Sequence, residues 1–91
     1  MTIVVFYDEK HCTRCQSDLS VIRGLFEGMD PDTVVYHDVT TVDGRAEAAF
    51  WGVYEFPAML IFHGDSEAAE PEETYLGESV LKKAQEIYDG R

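Results

Sequence analysis

Residues Ile3-Val4-Val5-Phe6-Tyr7 form an unbroken β-branched and aromatic run. A strand with one wet face alternates polar and apolar residues. This run does not, so it reads as a strand covered on both faces, as in a parallel sheet flanked by helices. The covering layers must come from the rest of a chain of 91 residues. That length suits one compact domain, residues 1–91, and leaves no room for a second of usual size. Hydrophobic residues make up 45% and aromatic residues 12%, enough to supply a core and to argue against disorder.

After the polar stretch Asp8-Glu9-Lys10-His11 the apolar period changes. Cys15, Leu19, Ile22, Leu25 or Phe26, and Met29 recur every three or four residues, with Gln16, Asp18, Arg23 and Glu27 between them. This predicts an amphipathic helix of about four turns opening at Cys12, stopped by Gly28 and Asp30-Pro31. Thr33-Val34-Val35-Tyr36-His37-Asp38-Val39 reads as a second strand. Strand, helix and strand in sequence form a βαβ unit, with parallel strands and a right-handed crossover. Asp43 is the expected N-cap of a second helix carrying Ala46, Ala49, Phe50 and Val53 on one face.

Pro57-Ala58-Met59-Leu60-Ile61-Phe62 is a third apolar strand. A hairpin then makes Glu73-Thr74-Tyr75-Leu76 antiparallel to it. Gly77 breaks the chain before a last helix from Ser79 to Tyr88, with Val80, Leu81, Ala84, Ile87 and Tyr88 inward. The expected order is β-α-β-α-β-β-α. Phe50, Trp51 and Tyr54 read as core and helix cover, with Trp51 or Tyr54 as the alternative border of a groove. Asp65, Glu67, Glu70, Glu72 and Glu73 read as a solvated hairpin loop.

The chemistry lies in Cys12-Thr13-Arg14-Cys15. A cysteine at the start of a helix meets unsatisfied N–H groups and the positive end of the dipole. Both favour thiolate, the nucleophile of disulfide exchange, and lower the cysteine pKa. Cys15 lies one turn further on the same face, placed to resolve a mixed disulfide formed at Cys12. Lys10, Arg14 and, when protonated, His11 favour the thiolate, while Asp8 and Glu9 oppose it. Arg14 is also a candidate for partner contact. Two readings stand beside this one: cysteines that merely pack, and a metal site. Zinc needs four ligands; His11 is awkwardly placed beside Cys12, and His37 and His63 end different strands, with His63 at the far edge. No metal is therefore expected.

The chain holds 18 acidic and 7 basic residues, a formal net charge of −11. A polyanion is a poor partner for it, so no nucleic acid is expected. No apolar run approaches a membrane span of about 20 residues. The start of the chain lacks the basic lead of a signal peptide, and two cysteines are too few for a disulfide scaffold. A cytoplasmic protein free of membranes is the expectation.

Val4-Val5-Phe6-Tyr7 leading into Cys12-Thr13-Arg14-Cys15, with Phe56-Pro57-Ala58-Met59-Leu60-Ile61-Phe62 and Gly64 about forty residues later, resembles the thioredoxin superfamily over nearly the whole chain. The small size is similar to glutaredoxins and to the glutaredoxin-sized thioredoxins of archaea. The resemblance implies a thioredoxin-like α/β fold, with a four-stranded mixed sheet ordered 2-1-3-4 and helices on both faces. It implies that Cys12 and Cys15 are catalytic, and that Pro57 is a cis-proline beside them. The backbone of Phe56 would then pair with an extended substrate segment. The activity implied is thiol–disulfide exchange on protein disulfides by a monomer, recycled by a reductase or a low-molecular-weight thiol. It needs no cofactor beyond the redox-active disulfide. Thr13-Arg14 is neither the Gly-Pro of thioredoxins nor the Pro-Tyr of glutaredoxins, and Phe6 stands where thioredoxins carry a buried aspartate. Gly77-Glu78-Ser79 only loosely resembles a glutathione-binding Gly-Gly-x-Asp region. With the net charge, this favours thioredoxin-like exchange over glutathione dependence. A redox-silent binding module using the Pro57 groove is the alternative.

Overall fold

The computed structural model describes residues 1–64 and 70–90. Strand β1 (Thr2–Tyr7) sits inside the sheet, as its composition demands. It pairs in parallel with β2 (Val34–Asp38), Val5 opposite Tyr36, and antiparallel with β3 (Ala58–Phe62), Val5 opposite Met59. Strand β4 (Glu73–Leu76) adds antiparallel to β3, giving the order β2-β1-β3-β4. Three helices, α1 (Thr13–Leu25), α2 (Val42–Trp51) and α3 (Glu78–Asp89), complete the thioredoxin-like α/β arrangement.

The period of two in a strand sends alternate residues of β1 and β3 into different cores. Ile3, Val5, Met59 and Ile61 pack with Ile22 and Phe26 near α1 and with Val80 and Ala84 of α3. Phe6, Ala58, Leu60 and Phe62 pack on the other face with Ala48 of α2 and with Val39 and Val53. All five residues of β3 are buried, as are Ile3, Val5 and Phe6 of β1, so β3 and the run that follows Thr2 in β1 are apolar for the same reason. Each such side chain contributes about 1.5–3 kcal/mol by leaving water. Arg23, in the last turn of α1, lies over the Tyr36 ring at 4.3 Å and ties the helix to the β2 edge.

The helix boundaries differ in detail from expectation. The helix α1 ends at Leu25, so Met29 packs on the core from beyond its end. Asp18 is buried with Cys15 and Ile22 instead of facing outward. The N-cap of α2 is Thr41, not Asp43: the Thr41 hydroxyl accepts from the Gly44 N–H at 3.0 Å and donates to the Asp38 carbonyl at 2.7 Å. The Asp38 carboxylate accepts from the Thr40 N–H and hydroxyl. This turn brings the first turn of α2 hard against the end of β2. Phe50 and Tyr54, expected as cover, are 76% and 79% exposed. Trp51 does pack, edge-on to Phe62 at 5.2 Å.

At the edge of the sheet His63 bonds to Glu73, Tyr75 donates to Glu73, and Lys83 of α3 pairs with Glu73 at 3.3 Å. The Tyr75 hydroxyl and the His63 ring, more than the lysine, hold the Glu73 carboxyl down at about 2. Of the acidic run, Glu70, Glu72 and Glu73 are thus described, and Glu73 is a paired strand residue. Asp65 and Glu67 lie outside the described residues.

Gly77 tests the link between α3 and the sheet. Its φ of +62° is open to glycine and strained for other residues, and its N–H donates to the Pro57 carbonyl at 2.8 Å. Gly44 is needed for space instead: a Cβ there would lie 2.0 Å from the Asp38 carbonyl oxygen, a backbone atom that cannot swing away. Gly44→Ala should therefore destabilise the protein by about 3 kcal/mol. Gly24→Ala, where a Cβ meets nothing within 4 Å, should be neutral or stabilising. Urea denaturation of the two variants checks this; equal midpoints would contradict the close contact.

Candidate active site

The loop between β1 and α1 is built around Asp8. Its carboxylate accepts from the Lys10 N–H at 3.0 Å and the His11 N–H at 2.8 Å, and its carbonyl accepts from the Cys12 N–H at 3.3 Å. This is an Asx-type turn, in which a short acidic side chain organises the backbone beyond it. The His11 ring adds a contact at 3.2 Å. Partial desolvation pushes the Asp8 carboxyl up, but the two N–H groups and the His11 ring together hold it below its ordinary 3.8. Asp8, expected only to oppose a thiolate, therefore has its charge largely engaged by the loop it shapes.

The turn delivers Cys12 as the N-cap of α1, a place usually held by Ser, Thr, Asp or Asn. Its Sγ accepts from the Cys15 N–H at 3.1 Å. No acidic residue occupies the first turn of the helix, so the positive pole is left to the sulfur. Cys12 is half-buried and Cys15 is 1% exposed. The two are joined as a disulfide, their Cα atoms 5.2 Å apart. The Phe56 carbonyl oxygen lies 3.5 Å from Cys12 Sγ. In the reduced protein that carbonyl accepts from a thiol but repels a thiolate, so it pulls against the helix terminus. The Phe56-Pro57 bond is cis. The fold thus brings together Cys12 and Cys15 with Phe56 and Pro57, more than forty residues further along the chain.

The cations are arranged less simply. Lys10 and His11 are exposed beside Cys12. Arg14 reaches Asp18 at 3.8 Å, one turn along α1. Sequence spacing alone missed Asp18. It is 8% exposed, and its Oδ2 has no hydrogen-bond partner. The signal was the i, i+3, i+7 position it shares with Cys15 and Ile22, masked by its charge. Sequence reading also missed Arg45 and Thr40. With Lys10, His11, Tyr54 and Phe56 they line a cleft of about 360 Å³. Tyr54 was the alternative groove residue, and it does border this cleft; Trp51 lines other depressions. Among the described residues no three His, Cys, Asp or Glu side chains converge as a metal site. His37 stacks on Phe6 at 5.4 Å, and His63 follows β3 at the end of the sheet away from the cysteines. Nor is any helix among them long and apolar enough to cross a membrane.

No protein-family model matches the chain, and no curated protein matches it in sequence. Solved structures do. A thioredoxin from Thermus thermophilus superposes with a TM-score of 0.65 at 22% identity, over 94% of this chain and 72% of that one. Thioredoxin 1 from Thermosipho africanus gives the same TM-score and identity over 99% of this chain and 96% of its own. These likenesses establish the fold as thioredoxin-like.

The loop offers a direct check on what places Cys12. Asp8→Ala should cost about 1 kcal/mol, since two backbone donors lose their acceptor to water. Amide exchange at Lys10 and His11 should quicken. Because the folded Asp8 carboxyl is held low, its contribution is complete above 3.8 and is lost as the pH falls through the depressed value. The wild type should therefore lose this increment in acid and the variant should not. Superimposable stability curves from pH 6 to about pH 2 would contradict the anchoring role.

Proposed function

We propose that this chain is a thiol–disulfide oxidoreductase that reduces protein disulfides through Cys12 and Cys15, in the manner of a thioredoxin. One observation carries the reading: a half-buried cysteine caps a helix and takes the Cys15 N–H on its sulfur, with its disulfide partner buried one turn behind. Thioredoxins among the solved structures of like fold support it. So does the match in length to the Thermosipho protein, 96% of which this chain covers.

In the reduced protein the Cys12 thiolate attacks one sulfur of a substrate disulfide. The substrate S–S bond breaks, its leaving sulfur takes a proton, and a mixed disulfide joins Cys12 to the substrate. Cys15 then loses its proton and attacks Cys12 Sγ. The mixed disulfide breaks and the second substrate sulfur leaves as a thiol. Two electrons have passed to the substrate, and Cys12–Cys15 is oxidised. A reductase or a low-molecular-weight thiol returns two electrons and two protons. No other cofactor takes part.

Exposure orders the two roles. Cys12 is the sulfur a substrate reaches, and Cys15, at 1% exposure, is reached through Cys12. The Phe56 backbone and the Pro57 turn flank the attacked bond, and an extended substrate segment pairs there by strand addition. Lys10, Arg14 and, when protonated, His11 act as nearby positive charge, with Arg14 also contacting the partner. Function as a monomer in the cytoplasm, a reducing compartment, fits a dithiol that must be recycled.

Insulin reduction with a dithiol donor tests the roles. Cys12→Ser should abolish turnover. Cys15→Ser should accumulate covalent mixed disulfides that dithiothreitol releases. Undiminished turnover by Cys12→Ser, or trapping at Cys15 in a Cys12→Ser background but none at Cys12, would overturn the assignment.

A further inference from the structure

The two faces of the sheet are unequally covered. Among the described residues α1 and α3 lie on one face, and α2 alone crosses the other. By the period of two, Val4 of β1 belongs to the α2 face with Phe6, and it is only partly buried there. Beside it a groove of about 400 Å³ runs between α2 and the strands, walled by Val4, Val35, Phe62, Phe50 and Trp51. Phe50 is 76% exposed, yet Trp51 meets it edge-on at 4.8 Å, and Phe62 meets Trp51 in turn at 5.2 Å. An aromatic ring already held at the surface offers contact area at little further entropic cost. The groove also reaches an open edge of the sheet, because β2 ends the strand order. The Thr33 carbonyl and the Val39 N–H bond inward to β1. Alternation then turns the N–H and C=O of Tyr36 outward, where no strand pairs with them among the described residues.

We propose that this groove docks an extended, basic segment of a partner protein, added as a strand along β2. An apolar side chain of the segment packs on Phe50 and Trp51, and a Lys or Arg pairs with Glu47. A strand laid beside β2 turns alternate residues to the side that Val35 and His37 face, which is the groove. Neighbouring strands lie about 4.8 Å apart, so a long apolar side chain spans the step into it. Charge decides between partners. Glu47 is the carboxylate of the groove, and Glu70 that of a neighbouring depression that Phe50 and Trp51 also line. Among the described residues neither pairs with a cation, and no Lys or Arg lines either depression. A second copy of the chain would bring like carboxylates together, each chain carrying −11, which opposes association. A basic segment meets complementary charge. The groove lies toward the Thr2 end of β1, whereas Cys12 follows its Tyr7 end. A docked partner therefore leaves the cysteines open, and the proposal does not depend on the disulfide-exchange reading.

End-blocked hexapeptides alternating Lys with Val, Leu or Phe are the probes. Their controls carry Glu for Lys, or Ser for the apolar residues. Titration into the isotope-labelled, oxidised protein, followed by NMR, gives affinity and site together. At least one Lys peptide should bind with a Kd below about 1 mM, shift the signals of Val35, His37 and Trp51, and slow amide exchange at Tyr36. The Glu version should bind about tenfold more weakly, and the Ser version should not bind. Phe50→Ala should weaken the Lys peptide about tenfold and Glu47→Gln about threefold. Thermal melts should show both variants folded, since both side chains are exposed. Raising salt should compress the preference for Lys over Glu. No binding by any Lys peptide, equal binding of the Lys and Glu versions, or an unmoved Kd in Phe50→Ala would overturn the site. Binding that leaves the Tyr36 amide unprotected would overturn the strand pairing. Shifts at Lys10, Cys12 and Phe56 in place of Val35 would put the peptide at the cysteines and overturn the groove. Sedimentation equilibrium showing a dimer that Phe50→Ala dissociates would overturn the partner assignment in favour of a second copy.

Discussion

The hydrogen bond from the Cys15 N–H to Cys12 Sγ, at 3.1 Å, is the contact on which the rest of the site depends. It requires Cys12 to sit just outside the helix with an extended backbone, at φ −107° and ψ 101°. The Asp8 turn sets that position, and it can do so because Tyr7, the residue before it, ends a strand fixed in the middle of the sheet. The helix in turn is held by Ile22 and Phe26 in the core beneath it. The same sheet carries Phe56 to within 3.5 Å of the sulfur, since β3 runs antiparallel to β1 and begins where β1 ends. Donor and opposing carbonyl therefore meet at one atom because two central strands share a register.

Charge is organised against this background and not uniformly. A net −11 spreads over the surface, yet Lys10, His11 and Arg45 gather around one cleft beside Cys12. Arg14 turns to Asp18 on the buried side of α1. A carboxylate oxygen that is buried without a hydrogen bond is costly, and the guanidinium at 3.8 Å compensates it only in part. Cations near the cysteine thus fall into two sets, one lining the cleft, the other, Arg14, half-exposed and drawn toward a carboxylate on its own helix.

Central strands, the paired cysteines and Gly77 were legible because their constraints are local or periodic. An apolar run such as Ile3 to Tyr7 admits few environments, and a cysteine pair after it at helix spacing admits few roles. Asp18 was not legible, because polarity predicts exposure and only the neighbouring helix and sheet decide otherwise. Phe50 and Tyr54 failed in the opposite sense: bulk apolar character predicts burial, but α2 is short and its tail leaves them outside. Asp43 lost the cap to Thr41 because Thr41 also reaches back to the Asp38 carbonyl, a contact set by the strand end. Arg45 could not be associated with Lys10 from spacing, as their meeting depends on how α2 crosses the sheet.

The central claim is that the helix terminus makes Cys12 a thiolate more readily than a free cysteine. The rate of Cys12 alkylation by iodoacetamide in the reduced protein, followed against pH with Cys15 replaced by serine, measures it most directly. The account predicts a midpoint below about 8.5, the value for free cysteine, with a steep loss of rate only at lower pH. A midpoint at or above about 8.5 would contradict it, and would mean that the Phe56 carbonyl and the surrounding negative charge outweigh the Cys15 N–H and the helix dipole.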